Sequence, residues 1–221
     1  MNELKRQVNQ HLSRIGKALA SPHRLELIEL LAQREQSVEA LARSLGVPLA
    51  NASHHLRALR SARLVESRNE GTFVFYRLAD EDVFRLARMI RVLGERHIAE
   101  VDRVVRKYFD SRDELEPIDA RELLERARSG DVVLLDARPA AEYRAGHLPG
   151  AVSIPVEEIE QHLSELPPNK EVVAYCRGPY CVMALDAVRK LRASGRKARR
   201  FAEGYPEWRA AGLPTESSVD A

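Results

Sequence analysis

The stretch "EVVAYCRGPYC", Glu171 to Cys181, holds both cysteines of the chain. Its first five residues are an apolar, β-branched run of the kind that forms a buried strand. Gly178 and Pro179 interrupt this run, and the pattern from Cys181 to Ala193 is helical. The stretch therefore predicts a buried strand, a loop that carries both cysteines, and a helix.

The residues on either side repeat this alternation of strand and helix. Val132–Leu135 is a second buried-strand run, and Ala198–Phe201 is a third. Asp119 to Glu122 is a helix-start pattern, and Val156–Leu163 has helical spacing. Strands that alternate with helices favour an α/β domain with a central parallel sheet.

The N-terminal half has a different periodicity. Apolar residues recur every three or four positions from Leu4 to Leu19, which predicts a first amphipathic helix. Helix-start signals at Ser21, Ser37 and Pro48 predict three further helices, the second of them short and ended by Gly46.

A hairpin and a long helix follow the fourth helix. Two β-prone runs, Leu64–Ser67 and Phe73–Tyr76, flank a turn that contains Gly71. A long helix is predicted from about Asp80 to Phe109. Three helices, a DNA-reading helix and a two-stranded wing form the order of a winged helix-turn-helix.

The chain is therefore predicted to have two domains. Residues 1–109 form the mainly α winged helix-turn-helix domain, and residues 118–221 form the α/β domain. The linker is residues 110–117 (DSRDELEP), which are charged and end in proline. With 221 residues, the chain is long enough to give each domain its own core.

We expect a cytoplasmic protein. The first residues are polar and include no secretory signal, and no apolar run reaches the roughly 18 residues of a membrane helix. Structural disulfides are rare in a reducing compartment, which disfavours one between Cys176 and Cys181.

The predicted fourth helix carries polar side chains suited to DNA. Its first turns would reach base edges in the major groove. Asn51 can pair with adenine, and His54 can bond a base or a phosphate. The candidate DNA-binding residues are Asn51, Ser53, His54, His55, Arg57, Arg60 and Arg68. The segment from Arg43 to Arg77 contains six arginines and two acidic residues. This excess of positive charge fits a phosphate-facing surface.

Ser53-His-His-Leu-Arg-Ala-Leu-Arg60, with Leu64-Val65 and the wing, resembles the ArsR-type winged-helix repressors over about residues 5–100. The resemblance implies a homodimer formed through the first and last helices of the domain. It also implies binding to double-stranded DNA at an imperfect palindrome, with repression relieved by an inducer.

The metal-sensing members of that family differ from this chain. They carry cysteines in the third helix, where Glu35–Leu41 has none. His97 and Glu100 form half of a second kind of metal site, but Asp82–Phe84 lacks the histidine of the other half. Zinc usually takes four ligands, so we expect His97 and Glu100 to be neighbours on an exposed helix face. We predict no metal and no other cofactor; a metal-responsive repressor is the alternative.

The cysteine loop has the features of an anion site. A strand end, a tight loop and a helix N-terminus aim backbone N–H groups inward and stabilise a thiolate. Gly178 is expected to supply backbone freedom and Arg177 positive charge. This suits attack by Cys176 on sulfane sulfur, which leaves a persulfide. The alternative is that both cysteines are small apolar fillers.

Two motifs resemble the rhodanese-like domain over about residues 117–215. They are Asp136-Ala-Arg-Pro-Ala-Ala-Glu-Tyr-Arg-Ala-Gly-His-Leu-Pro-Gly-Ala151 and Glu203-Gly-Tyr-Pro-Glu-Trp208. Such domains transfer sulfane sulfur through a cysteine persulfide, and Cys176 occupies that cysteine's position. The resemblance places Asp136 and Arg138 near the loop and gives His147 and Pro149 roles in the fold. The candidate catalytic residues are Cys176, Arg177, Gly178, Cys181, Asp136 and Arg138.

The loop departs from the C-x-x-G-x-R pattern of many single-domain rhodaneses. Cys181 stands in place of the arginine that binds the anionic donor, and the glycine comes one position early. The change argues against efficient use of thiosulfate. Cys181 is a candidate resolving cysteine, which would attack a persulfide on Cys176 to give a disulfide or polysulfide bridge.

Two hypotheses follow, and both predict DNA binding. In the first, the protein is a homodimeric repressor whose second domain senses reactive sulfur from a polysulfide or persulfide, and Cys181 favours such a switch. In the second, the domain is a working thiosulfate or polysulfide sulfurtransferase with a DNA-binding domain for autoregulation, which the intact motifs favour.

Overall fold

The structure, a computed structural model, describes residues 2–109 and 118–218. The chain divides into two compact units, Met1–Leu93 and Gly94–Ala221. The predicted linker, residues 110–117, lies outside the described residues.

The first unit is helical with one small sheet, as predicted for a winged helix-turn-helix. Its helices are α1 (Glu3–Leu19), α2 (Pro22–Gln33), α3 (Val38–Leu45), α4 (Leu49–Ser61) and α5 (Glu81–His97), which continues past the division between the units. Its strands are β1 (Gln36–Ser37), β2 (Val65–Glu70) and β3 (Phe73–Leu78), in the antiparallel order β1-β3-β2.

The turn between α3 and α4 follows the predicted signals. The Ser37 hydroxyl caps α3 by accepting a hydrogen bond from the Ala40 N–H at 3.3 Å. Gly46 ends α3 in the left-handed region at φ 66°, which favours glycine. Pro48 then precedes the first residue of α4. Leu41, Leu56 and Leu59 are fully buried in the core of this unit, so the opposite face of α4 remains exposed.

The prediction of one long helix from about Asp80 to Phe109 is wrong. The backbone is extended at Ile98, with φ −112° and ψ 100°, and a separate helix, α6 (Ala99–Tyr108), follows. Glycine and β-branched residues are weak helix formers; Ile98 lies at the break, and Gly94 lies in the last turn of α5. His97 and Glu100 are therefore not neighbours on one helix, and Glu100 pairs with Arg103 at 2.8 Å.

The second unit contains the predicted parallel sheet. Its strands are β4 (Val132–Asp136), β5 (Val152–Ser153), β6 (Glu171–Cys176) and β7 (Ala198–Gly204), in the order β5-β4-β6-β7 and all parallel. After α6, its helices are α7 (Ala120–Arg128), α8 (Ala140–Ala145), α9 (Met183–Ala193) and α10 (Tyr205–Ala210).

Alternate residues of β6 enter two different cores, because strand side chains point to opposite faces in turn. Val172, Ala174 and Cys176 pack in one core with residues of α9. Val173 and Tyr175 pack in the other core with Trp208. Cys176 is therefore placed against α9 by its position in the strand.

The helix predicted at Val156–Leu163 is not formed. Hydrogen-bonded turns occupy this segment, and a short 3₁₀ helix spans Leu163–Glu165. The bonds link each residue to the third before it, as from Gln161 N–H to Glu158 O at 3.0 Å. Pro167 and Pro168 follow at once and prevent a longer helix.

Among the described residues, no helix is both long enough and apolar enough to cross a membrane.

Candidate functional site

The outer face of α4 presents most of the predicted DNA-binding residues. Asn51, His54, Arg57 and Arg60 are exposed, and Ser53 is half-buried. The Arg57 Nε donates to Ser53 O at 3.2 Å, one turn back along the helix. The face thus combines an amide, an imidazole and two guanidinium groups on one rigid element.

His55 packs against α2. It is half-buried, and its ring centroid lies 5.2 Å from that of His23 on α2. Burial lowers the pKa of His55, and the neighbouring His23 lowers it further. A neutral imidazole packed on α2 supports the helix position better than it contacts a base.

Arg68 on the wing is held by carboxylates. Its Nε lies 2.9 Å from both carboxylate oxygens of Glu35, its Nη2 lies 2.7 Å from one of them, and Glu70 also pairs with it. The guanidinium stacks 4.8 Å from the Phe75 ring centroid. The hydrogen bonds to Glu35 and Glu70 raise the pKa of Arg68. This arrangement ties the wing to the segment before α3.

Cys176 is enclosed at the end of β6. The residue is 1% exposed, and its Sγ lies 3.5 Å from Cys181 O and 3.9 Å from Gly178 O. Carbonyl oxygens accept hydrogen bonds, so they suit a protonated thiol. Burial raises the pKa of Cys176 well above its ordinary value, and the neighbouring Cys181 raises it further. The structure therefore favours a thiol at Cys176, whereas the sequence predicted a thiolate.

The pKa of Cys181 is shifted in the opposite direction. It is half-buried and, like Cys176, unpaired by any disulfide. The hydrogen bond from Cys176 lowers the pKa of Cys181 to about 6, against the effect of burial; the N–H groups of Arg177 and Met183 also bond its sulfur. The loop therefore favours a thiol at Cys176 and a thiolate at Cys181, which is the more accessible position.

Arg177 is oriented by a carboxylate on another element. Its Nε and Nη2 lie 3.0 Å and 2.6 Å from Glu142 Oε1, and the Glu142 side chain on α8 is only 4% exposed. Burial disfavours the charged guanidinium, but the bonds to Glu142 outweigh it and raise the pKa of Arg177. Arg177 thus supplies positive charge beside Cys181, while the Nε and Nη2 edge of its guanidinium is occupied by the Glu142 carboxylate.

Asp136 and Arg138 form a buried ion pair beside the loop's strand. Both side chains are fully buried, and Arg138 Nη2 lies 2.6 Å from Asp136 Oδ2 and 2.7 Å from Gly146 O. The Arg138 guanidinium also lies 4.7 Å from the Tyr205 ring centroid. Burial opposes the charge of Arg138, yet Asp136 keeps its pKa raised. These contacts fix the β4–α8 turn, so the geometry suits a role in positioning.

The glycine that the loop geometry requires is Gly204, which the sequence argument passed over. A Cβ on Gly204 would lie 2.4–2.5 Å from backbone atoms of Cys176, Arg177 and Gly178. A Cβ on Gly178 would make ordinary contacts of 3.5 Å with Glu207, and Gly178 has no positive φ. The expected backbone freedom at Gly178 is therefore not used. Glu207, which is 1% exposed, accepts the Gly204 N–H at 3.1 Å.

His147 links α8 to the segment around Glu216. Its Nδ1 lies 2.8 Å from Tyr143 O, and its ring stacks on that of Tyr143 at 3.7 Å. Its backbone pairs with Glu216 as an antiparallel bridge. These contacts agree with the expected role in the fold. Within residues 2–109 and 118–218, no group of three or more His, Cys, Asp or Glu side chains is placed to hold a metal ion.

Two family models match the chain. Residues 19–68 match a helix-turn-helix domain, and residues 119–211 match a rhodanese-like domain. The first match contains α4, and the second contains the cysteine loop.

Individual relatives match one or both parts. The HTH-type transcriptional regulator Rv0324 of Mycobacterium tuberculosis is 47% identical over 208 residues, which cover 94% of this chain and 91% of that protein. A sulfurtransferase of Allochromatium vinosum is 41% identical over 61 residues, 27% of this chain and 57% of that protein. A solved homodimeric winged helix-turn-helix DNA-binding domain from Mycobacterium bovis is 44% identical, with a TM-score of 0.41, and covers 44% of this chain and 91% of that one.

Proposed function

Since the chain belongs to the HTH-type transcriptional regulators that join an ArsR-type winged helix-turn-helix to a rhodanese-like domain, we propose that it regulates transcription in response to reactive sulfur. In this proposal the protein is a homodimeric repressor. In this proposal sulfane sulfur is held on Cys176, and its presence changes the affinity for a palindromic operator. The observation that carries it is the pair of free cysteines, with Cys176 Sγ 3.5 Å from Cys181 O at the end of β6, in a chain that also has a DNA-reading helix. Because the proposed regulator binds DNA, we also propose a cytoplasmic location.

The exposed face of α4 supports the DNA-binding part. We assign base contacts to Asn51, Ser53 and His54, and phosphate contacts to Arg57 and Arg60. We give His55 and Arg68 supporting roles, because the first packs on His23 and the second is bound by Glu35.

Replacing Arg60 with alanine should weaken binding to the DNA fragment upstream of the gene. Each lost phosphate contact removes about one counterion-release event, so the slope of log K against log salt should fall by about 1. Titrations at several salt concentrations measure this slope. Arg128→Ala, an exposed arginine of the second unit, is the matched control and should leave the slope unchanged. Equal slopes for wild type and Arg60→Ala would remove Arg60 from the interface.

Exposed apolar side chains on α1 and α5 support the homodimer. Leu4, Leu12, Met89 and Leu93 are 66%, 58%, 54% and 46% exposed, respectively. An apolar groove between the two helices is lined by Leu12, Ile15, Gly16, Leu19, Ala20, Leu86 and Ile90. Contiguous exposed apolar surface of this kind is typical of an interface, so we propose that a second copy of the chain covers it.

The loop favours a small persulfide or polysulfide as the donor. Thiosulfate is a dianion, and the residue that would bind it in many rhodaneses is replaced by Cys181. The remaining guanidinium of the loop, Arg177, is engaged by Glu142. A hydropersulfide needs only a thiolate to attack its outer sulfur, and the loop offers one at Cys181.

Replacing Cys176 with serine should abolish the response of DNA affinity to polysulfide. Serine cannot hold sulfane sulfur, but its hydroxyl keeps the hydrogen-bonding role. The wild type should change its Kd by at least about fivefold after polysulfide, the low end of typical allosteric coupling, and recover after reductant. The measurement is a DNA titration in the three states, with mass spectrometry of the loop peptides. A response that persists unchanged in Cys176→Ser contradicts sensing at Cys176.

A working sulfurtransferase is the second candidate, and the intact rhodanese framework favours it. The Asp136–Arg138 pair and the Arg177–Glu142 pair hold the loop in a fixed geometry, which turnover also requires. This function predicts many cyanide-trappable turnovers per Cys176 with some donor. A single stoichiometric modification with every donor would contradict it.

A further inference from the structure

We propose that sulfane sulfur does not reach Cys176 directly but enters on Cys181, which passes it to Cys176. This relay rests on the proposed function, because it assigns the order in which the two cysteines of that site react. It makes Cys181 the attacking nucleophile for a low-molecular-weight hydropersulfide. Cys176 is then the second acceptor and the final holder of the sulfur.

Access to the two sulfur atoms differs. Attack on a sulfur–sulfur bond needs the nucleophile in line with that bond, so the donor must approach the thiolate closely. Cys176 is 1% exposed and packs in the core with Ala184, Ala187 and Val188 of α9. Cys181 is half-buried, with its neighbours Tyr180 and Val182 38% and 48% exposed. A donor in solution therefore meets Cys181 first.

The protonation preferences of the two cysteines assign the same order. Backbone N–H groups bond both sulfur atoms, those of Ala184 and Gly178 at Cys176 and those of Arg177 and Met183 at Cys181. The difference between the cysteines comes from the deeper burial of Cys176 and from the hydrogen bond that it donates to the sulfur of Cys181. A thiolate is the reactive form of cysteine, and the pKa of Cys181 is lowered to about 6 while that of Cys176 is raised. The more accessible cysteine is therefore also the one that favours the thiolate near neutral pH.

In the first step, the Cys181 thiolate attacks the outer sulfur of a hydropersulfide, R–S–SH. A bond forms between Cys181 Sγ and the sulfane sulfur, and the sulfur–sulfur bond of the donor breaks. The donor leaves as the thiolate RS⁻ with the electron pair of that bond, and it takes a proton from water. Cys181 then carries the persulfide –S–SH, and no outside oxidant or reductant is required.

In the second step, Cys176 attacks the terminal sulfur of that persulfide. A bond forms between Cys176 Sγ and the terminal sulfur, and the bond from that sulfur to Cys181 Sγ breaks. As the bond to Cys181 breaks, the proton of the Cys176 thiol passes to the departing Cys181 sulfur, its hydrogen-bond partner in the unloaded loop, so Cys176 gains thiolate character as it attacks. Cys176 ends as the persulfide and Cys181 as the free thiol, which then loses its proton to solvent. The buried thiol therefore needs no separate base.

Other charged groups near the loop are engaged in hydrogen bonds. Arg200 of β7 donates to Pro179 O at 3.2 Å, and Glu95 accepts the Tyr180 hydroxyl at 2.6 Å. Arg177 faces Cys181 from the loop itself and is bound by Glu142 of α8. Glu207 of α10 lies beside Gly178 and accepts the Gly204 N–H. The group that responds to pH in this relay is therefore Cys181, coupled to Cys176.

The test follows loading from glutathione hydropersulfide in the full chain by quenched-flow mass spectrometry. Trypsin cuts after Arg177, so the two cysteines fall in different peptides, Glu171–Arg177 and Gly178–Arg189. In the wild type, sulfur should appear first on the Cys181 peptide and then on the Cys176 peptide. Cys181→Ser should load Cys176 at least tenfold more slowly. In Cys176→Ser, sulfur should accumulate on the Cys181 peptide, because serine cannot accept it in the second step.

The pH profile is the second readout. Below its pKa, Cys181 becomes a neutral thiol, so initial loading should fall about tenfold from pH 7.5 to pH 5, with the midpoint at about 6. Cys176→Ala removes the donated hydrogen bond, so it should move that midpoint to higher pH. Cys181→Ala, which removes the thiolate without adding a hydroxyl, should behave as Cys181→Ser does.

The outcomes separate the relay from the function on which it rests. Loading of Cys176 at the wild-type rate in both Cys181 variants would overturn the relay and leave sulfur acceptance by Cys176 intact. An absence of sulfur on Cys181 in Cys176→Ser would also overturn it. Wild-type protein that takes up sulfur on neither cysteine would overturn the proposed function itself.

Discussion

Replacing Asp136 with alanine should lower the free energy of unfolding of the second unit by about 3–5 kcal/mol, the usual cost of leaving a buried charge unpaired. Arg138 keeps its charge at any ordinary pH, and its side chain is fully buried. Asp136 also accepts the Arg138 backbone N–H at 3.0 Å, so the β4–α8 turn loses this bond too.

Urea unfolding followed by tryptophan fluorescence measures this change in one unit. Trp208 is the single tryptophan of the chain and is fully buried in the second unit. Asp186→Ala is the matched control, because Asp186 pairs with Arg189 at 3.0 Å but both side chains are nearly half-exposed. Exposed pairs contribute about 0–1 kcal/mol. A loss below about 1 kcal/mol in Asp136→Ala would mean that water or another group neutralises Arg138.

Replacing Gly204 with alanine should reduce the rate of sulfur loading by about a hundredfold, the effect expected when reacting groups move by about 1 Å. The added methyl would lie 2.4–2.5 Å from backbone atoms of the loop residues Cys176 to Gly178. Backbone cannot yield as a flexible side chain does, so the loop must shift away from β7. The same overpacking should destabilise the second unit by about 1–3 kcal/mol.

Gly178→Ala is the informative comparison for this prediction. Its methyl would meet the Glu207 carboxylate at an ordinary 3.5 Å, so its effect on loading should be far smaller. The initial rates of persulfide formation in the two variants decide the matter. A larger defect in Gly178→Ala than in Gly204→Ala would contradict the packing on which the prediction depends.

The fold was predictable where local signals were strong. The caps at Ser37 and Gly46 and the hairpin turn at Gly71 left clear sequence patterns, and the structure confirms them. The break at Ile98 was missed because the apolar periodicity continues through it into α6. The strand Val152–Ser153 was missed because two residues carry no periodicity.

The candidate site was predictable in its residues but not in its charges. The motif identified Cys176 and Cys181, but it could not show which of them favours the protonated form. That preference depends on how deeply each sulfur is buried beside α9, and burial is a property of the folded domain. Glu142 lies 35 positions before its partner Arg177, so no local pattern links them. Gly204 is part of the closing motif. The reason that it must lack a side chain becomes visible only in the folded domain, where β7 packs against the backbone of the loop.

The alternation of side chains along β6 has a mechanical consequence. Cys176 shares its face with Val172 and Ala174, against fully buried Ala184 and Ala187 of α9. A persulfide adds one large atom to this close-packed layer, where extra volume forces neighbours to move. The added volume lies on the face of the sheet that α9 and the loop cover, opposite the face that holds Tyr175 and Trp208. Loading with sulfur would therefore require α9 or the loop to move, while the other core keeps its packing.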